Sequence, residues 1–471
     1  MELQNKATSL WGNFLNVKMV QIRTFHMTWF AFFSAFFAWF GIAPLMSVVR
    51  DELSLTPNQI GWTIIGSVAG TIVARLFIGW LCDRIGPRKS YTWLLLLGSL
   101  PVMGIGLSQS FETFLLFRVL IGAIGASFVI TQYHTSVMFA PNVVGQANAT
   151  SAGWGNLGGG VTQFVMPLLF SVLVIGFGFS ESVGWRLAML IVGIIIFLVG
   201  ISYYFLTQDA PDGNFDDLRA QGRMIEKKNV NKNYAQALRD PRVWVLFVIY
   251  GASFGIELTV NNVAALYFID YFDLTLVTAG LVAASFGLMN LFARTLGGIF
   301  GDNFGALWGL RGRSFWLFIC LLFEGIALMI FSQMQVLFLA IPSLIVFSLF
   351  TQMAEGATYS VVPFVNKKAL GAVAGVVGAG GNAGAVLAGF LFKNMIDWSE
   401  AFLVLGMVVT AASFLAFFVR FSTRQEDEER ANFAVANIET LRRRAEKANA
   451  ALEEGLTAIN DRRQAAAPAA D

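Results

Sequence analysis

Apolar residues along this chain gather into twelve runs, at 25–48, 61–81, 91–109, 112–139, 147–176, 185–206, 241–269, 276–300, 315–331, 335–363, 369–392 and 399–420. A bilayer core takes about 20 mostly apolar residues per helix, so each run predicts one membrane span. The polar segment 207–240 divides the runs into six and six. Lysine and arginine collect in alternate connections: Arg84, Arg88 and Lys89 after the second run, Arg219 to Arg239 in the long segment, Arg311 and Arg313 after the eighth, Lys367 and Lys368 after the tenth. Segments such as 51–59 and 177–184 carry almost none. The positive-inside rule then puts both termini and 207–240 in the cytoplasm. The expected organisation is a cytoplasmic N-terminus (1–24), a six-helix bundle (25–206), a cytoplasmic linker (207–240), a second six-helix bundle (241–422) and a cytoplasmic tail (423–471), helical or disordered.

Composition supports this reading. Hydrophobic residues make up 56% of the chain and charged ones 13%, where soluble domains carry about 25% charged residues. The class is an all-α membrane protein. Cys82 and Cys320, both in or beside apolar runs, offer no disulfide framework or metal–thiolate site. The first apolar run is full length and reads as a span rather than a cleaved signal. A net charge of +2 says little about partners, because its placement matters more than its sum.

Two arginines lie inside apolar runs. Arg75, Gly79, Asp83 and Gly86 recur as Arg294, Gly298, Asp302 and Gly305, each 219 positions later. A charge near the bilayer centre costs about 2.5–3.5 kcal/mol on permissive scales, so an intramembrane arginine marks a functional site by default. Two at equivalent places in two halves predict one anion held between two cations. Each lies eight residues, about 12 Å of helix, from its aspartate, too far for easy snorkelling. Glu257, Glu324 and Glu355 are the main carboxylates available inside the spans. A guanidinium offers a planar fork of donors and suits a small planar oxyanion. A second repeat sets Gly155 and Asn156 against Gly381 and Asn382, 226 positions apart, within glycine-dense stretches. Most of those glycines read as close helix packing. Asn156 and Asn382 read as site residues, since a buried amide needs a partner and an anion supplies one. No strand precedes the glycines and no Gly-Lys-Ser/Thr occurs, which excludes a phosphate loop.

The segment Gly79-Trp80-Leu81-Cys82-Asp83-Arg84-Ile85-Gly86-Pro87-Arg88-Lys89, its echo Gly298–Gly305 with Arg311 and Arg313, and Arg118-Val119-Leu120-Ile121-Gly122 in the fourth run resemble signatures of the major facilitator superfamily. That resemblance implies twelve helices in two six-helix halves. It also implies gating roles for Asp83, Arg84, Arg88, Asp302, Arg311 and Arg118. The segments 152–160 and 375–384 resemble the two signatures of the nitrate/nitrite porter (NarK-like) family, and the likeness covers about residues 20–422. It implies that Arg75 and Arg294 clamp the substrate and that aromatic residues sandwich it. Those aromatics fall on Phe36, Phe128, Tyr250 and Tyr359.

The family contains nitrate/proton symporters and nitrate/nitrite exchangers. A symporter needs a protonatable group near the anion, and Glu257, Glu355 and, more weakly, His134 are the candidates. The segment around Glu257 resembles the proton-coupled branch. The expectation is therefore nitrate uptake with protons by alternating access, with nitrate/nitrite antiport as the alternative and a non-transporting nitrate sensor as a remote one. No catalytic dyad, haem histidine pair or nucleotide loop is visible, so no enzyme, metal or cofactor is expected. The expected partners are nitrate, with nitrite as the exchanged anion in the antiport alternative, protons and the lipid bilayer, with no nucleic acid. The protein is expected as a monomer in the plasma membrane, a bacterial inner membrane.

Overall fold

The structure, a computed structural model, describes residues 5–139, 144–223, 238–366, 370–394 and 397–428, with a few isolated positions besides. Lys367, Lys368, much of the 207–240 linker and most of the 423–471 tail lie outside the described residues, as do the side chains of Asp83 and Asp302.

Among the described residues, twelve helical segments are long and apolar enough to cross a membrane. The first half holds α1 (Val20–Leu53), α2 (Pro57–Gly79), α3 (Pro87–Leu107), α4 (Phe111–Met138), α5 (Ala147–Gly176) and α6 (Glu181–Leu206). The second holds α7 (Pro241–Phe272), α8 (Leu276–Trp308), α9 (Leu310–Ser332), α10 (Leu337–Val362), α11 (Gly375–Lys393) and α12 (Trp398–Phe418). These match the twelve apolar runs, with helices running past them at half of the ends. Polar caps set several of those ends. Thr56 and Gln59 form a capping box before Pro57, while Ser180 and Thr275 cap α6 and α8.

The two halves meet along α2 with α11 and α5 with α8. Small residues make this approach possible: a Cβ at Gly160 would lie 2.5 Å from the Gly287 carbonyl carbon. Lipid gives helices no hydrophobic drive toward each other, so close backbone contact supplies the attraction. Two spans depart from α-helical geometry next to residues of the charged region. α8 tightens to a 3₁₀ turn at Met289–Leu291, just before Arg294, and α4 does so at Ala123–Ala126, just before Phe128. Such mid-helix turns re-aim the side chains that follow.

The connection from α2 to α3 turns at Gly86, with φ 88° and ψ 158°. Only glycine takes that region readily. Space forbids anything larger as well, because a Cβ there would lie 2.4 Å from an Asp209 carboxylate oxygen. Asp209 accepts from the Arg88 backbone N–H at 2.8 Å and from that of Phe215 at 3.1 Å, tying the linker onto the start of α3. Burial pushes its carboxyl up from the ordinary range, opposed by those two backbone bonds. Gly86→Ala is expected to cost about 1–3 kcal/mol, read as a lower midpoint of thermal unfolding in detergent. An unchanged midpoint would remove this account of the turn.

The sequence repeat pairs Gly86 with Gly305, but the structure gives the equivalent turn to Gly309. α8 continues through Gly305 to Trp308, and Gly309, at φ 70°, starts α9. The second turn is displaced by about one helical turn relative to the motif.

Candidate anion-binding site

Arg75 is almost fully buried in α2. One Nη donates to the Gly378 carbonyl in α11 at 3.1 Å, while Nε and the other Nη have no partner. The guanidinium lies 5.5 Å from the Phe128 ring centre and 5.9 Å from that of Phe254. No carboxylate interacts with it among the described residues. Arg294, as deeply buried, lies 5.8 Å from the same Phe254 ring. It donates to the Tyr250 hydroxyl at 3.0 Å and is ion-paired with the buried Glu355. One of its Nη groups has no partner.

The two arginines therefore share one phenyl ring but not one electrostatic setting. The sequence treats them as equal halves of a clamp; the structure leaves Arg75 uncompensated and gives Arg294 a counter-charge. Tyr250 stacks on Phe254 at 5.1 Å, and Tyr359 meets Tyr250 edge-on at 5.2 Å. These rings wall the space beside both cations. Gly381 makes room for the wall, since a Cβ there would lie 2.3 Å from Phe254.

Asn156 and Asn382 are fully buried, and neither side-chain amide finds a hydrogen-bond partner. Buried amides and guanidinium N–H groups are ordinarily satisfied, and a group left bare costs about 1–3 kcal/mol. The orphaned donors of Arg75 and Arg294, which flank the one Phe254 ring, are of the kind that an acceptor-rich guest of small size satisfies.

Of the residues singled out from sequence, Arg75, Arg294, Phe128, Tyr250, Tyr359 and Glu355 come together here. Phe36 is buried one ring away: it packs at 4.5 Å on Phe32, which lies 5.8 Å from Phe128. Glu257 is also buried and accepts from the Asn290 amide at 2.7 Å, beside the 3₁₀ turn that leads into Arg294. Glu324 lies deeper in the second half, fully buried, and interacts electrostatically with Glu257 and Glu355. His134 is not brought to the arginines. Its Nε2 donates to the Gln208 carbonyl at 2.8 Å, which leaves Nδ1 to accept from Tyr203 at 2.6 Å, binding α4 to the end of α6.

Two of the basic residues read as a latch bind the segment that follows their own half, and Arg118 binds across the halves. Arg88 donates to the Tyr204 carbonyl at 2.7 Å and to Asn214 at 3.1 Å. Arg311 pairs with Glu426 at 2.7 Å, and Arg84 is exposed. Arg118 is buried between α4 and α7, donating to Asn262 at 2.7 Å. The residue that sequence reasoning missed is Phe254. It lies four positions after Tyr250, on the same helix face, but that spacing alone does not single it out among 45 phenylalanines.

The twelve membrane-spanning helices in two halves define a polytopic membrane protein of the transporter class, as comparison with known proteins bears out. The chain matches the family model described as Major Facilitator Superfamily over residues 28–365 and 258–459. It is 40% identical over 392 residues to high affinity nitrate transporter 2.5 of Arabidopsis thaliana, covering 83% of this chain and 77% of that one. It is 39% identical to high-affinity nitrate transporter 2.3 of Oryza sativa (82% and 74% covered) and 31% identical to the nitrate/nitrite transporter NrtP of Nostoc punctiforme (84% and 92%). A crystal structure of a bacterial homologue of the human lysosomal transporter Spinster superposes with TM-score 0.66 at 15% identity, covering 88% of this chain and all of that one. That likeness is one of fold. The chain belongs to the nitrate/nitrite porter family of the major facilitator superfamily.

Proposed function

We propose that this protein carries nitrate across the plasma membrane by alternating access, gripping it between Arg75 and Arg294, and that uptake is coupled to protons. The observation that carries the reading is the bare guanidinium edge of Arg75, buried with no carboxylate among the described residues to interact with it. A planar trigonal oxyanion presents several acceptors to such an edge, and the names of the relatives favour nitrate. Phe128, Phe254, Tyr250 and Tyr359 close around the flat faces, and Asn156 and Asn382 supply neutral donors.

Coupling follows from the inequality of the two arginines. Glu355 competes with an incoming anion for Arg294. A proton on Glu355 dissolves that ion pair and releases Arg294 to the nitrate, so proton and anion favour each other's binding. Glu257, fixed by Asn290, is the next acceptor in line. A negative-inside potential opposes nitrate entry by about 2.3 kcal/mol per charge per 100 mV, so one proton makes the step electroneutral and two make the potential drive it.

In this reading the two six-helix bundles rock about the site, both termini are cytoplasmic, and the monomer is the working unit. Asp83 and Asp302, with the neighbouring Arg84, Arg88 and Arg311, serve as gate residues at the cytoplasmic ends. Nitrate/nitrite antiport is the second reading, favoured by the NrtP relatives named as nitrate/nitrite transporters. Labelled nitrate uptake by proteoliposomes is the test. The expected result is uptake that saturates; binding with no uptake would make the protein a sensor and end the transport reading.

A further inference from the structure

Arg118 is a third intramembrane arginine, 1% exposed and without a carboxylate among the described residues that interact with it. One Nη donates to the Asn262 amide oxygen at 2.7 Å, the other reaches the Trp39 carbonyl at 3.4 Å, and Nε has no partner. Two helices measure its depth independently. Arg118 precedes Phe128 by ten residues along α4, about 15 Å, and Asn262 follows Phe254 by eight along α7, about 12 Å. Phe128 and Phe254 both flank Arg75, so Arg118 stands 12–15 Å above the anion site, on the side away from the termini, by the same helical rise.

The two halves are joined at that level. Besides Arg118 with Asn262, Ser67 reaches Asn262 at 3.4 Å and Gln163 reaches the Asn261 carbonyl at 2.8 Å. Nearer the surface, Arg50 grips both carboxylate oxygens of Asp270 at 2.7 and 2.8 Å. Opening this end to admit substrate must part these pairs. Arg50 keeps a neutralising option in Asp51, at 3.1 Å on its own helix. Among the described residues Arg118 loses its only side-chain partner and has no acid to replace it.

We propose that Arg118 is an entry station for the anion: in the outward-open state it binds the incoming oxyanion, which then passes to Arg75. On closure the Asn262 amide oxygen takes the anion's place on the guanidinium, sending the anion inward and blocking its return. A neutral amide suits this exchange, because its bond to a guanidinium is weaker than that of a charged acceptor and an anion can displace it. A carboxylate at position 262 would hold Arg118 shut.

The inference rests on the nitrate-carrier reading, and its test is sided uptake by oriented proteoliposomes. Arg118→Gln is expected to raise the half-saturating nitrate concentration from the outer face about tenfold, the loss of one charge-assisted contact. Half-saturation for efflux from the cytoplasmic face, and nitrate affinity of the purified protein, should stay within about twofold. Arg118→Lys should recover much of the outer-face loss. Asn262→Asp, which keeps size and adds a charge, should reproduce the outer-face defect without removing the arginine. Equal changes on both faces, or no change on the outer face in either Arg118→Gln or Asn262→Asp, would overturn the entry station. Absence of nitrate uptake by the wild-type chain is a separate result: it overturns the carrier reading itself, and this inference with it.

Discussion

Replacing Arg75 by lysine is expected to weaken nitrate binding ten- to a hundredfold, and more severely than the same change at Arg294. Lysine keeps the charge but loses the flat fork that satisfies two oxygens at once. A hydrogen bond to a charged partner contributes about 1.5–3 kcal/mol, and each 1.4 kcal/mol is a factor of ten. At Arg75 two donor nitrogens stand unpartnered, so the whole loss falls on the anion. At Arg294 the guanidinium already serves Tyr250 and Glu355, so its share in binding is smaller. Calorimetric titration of the purified variants with nitrate measures both. Equal losses, or a larger loss at Arg294, would contradict the inequality on which the coupling mechanism stands.

Glu355→Gln should separate binding from coupling. Breaking a buried ion pair from one side leaves the other charge exposed to an apolar interior, at a cost of about 3–5 kcal/mol. The variant is therefore expected to unfold at a lower temperature than the wild type when nitrate is absent. Nitrate supplies the missing counter-charge. At a hundred times its dissociation constant a ligand stabilises the folded state by about 2.7 kcal/mol, so the thermal shift with nitrate should be larger in the variant than in the wild type. Binding should hold or tighten, while its dependence on pH weakens and proton-driven accumulation fails. A variant that still accumulates nitrate down a proton gradient would move the coupling role to Glu257 or Glu324.

The spans, the two halves and the arginine pair were legible in the sequence, because a charge inside an apolar run stands out and internal repetition doubles the signal. Tyr250 and Tyr359 came only from the family resemblance, which implies aromatic residues around the anion. Phe254 was not legible, since one of 45 phenylalanines carries no distinguishing chemistry until its neighbours are known. The unequal state of Arg75 and Arg294 was also hidden. Their local sequences repeat, but the acid that distinguishes them arrives from α10, sixty-one positions further on. The turn glycine of the second half slipped from Gly305 to Gly309 because α8 extends one turn beyond its counterpart, and a motif match cannot see helix length. Asn262 had no repeat partner to mark it, and its meaning comes only from the arginine of the opposite half.

In the proposed mechanism protonation of Glu355 frees Arg294 for nitrate, and its most direct test is accumulation of labelled nitrate in proteoliposomes that contain no nitrite. With an inward proton gradient, uptake should exceed equilibration and collapse when a protonophore is added. Uptake that ignores the gradient and appears only when nitrite is loaded inside would contradict the account and make the protein an exchanger.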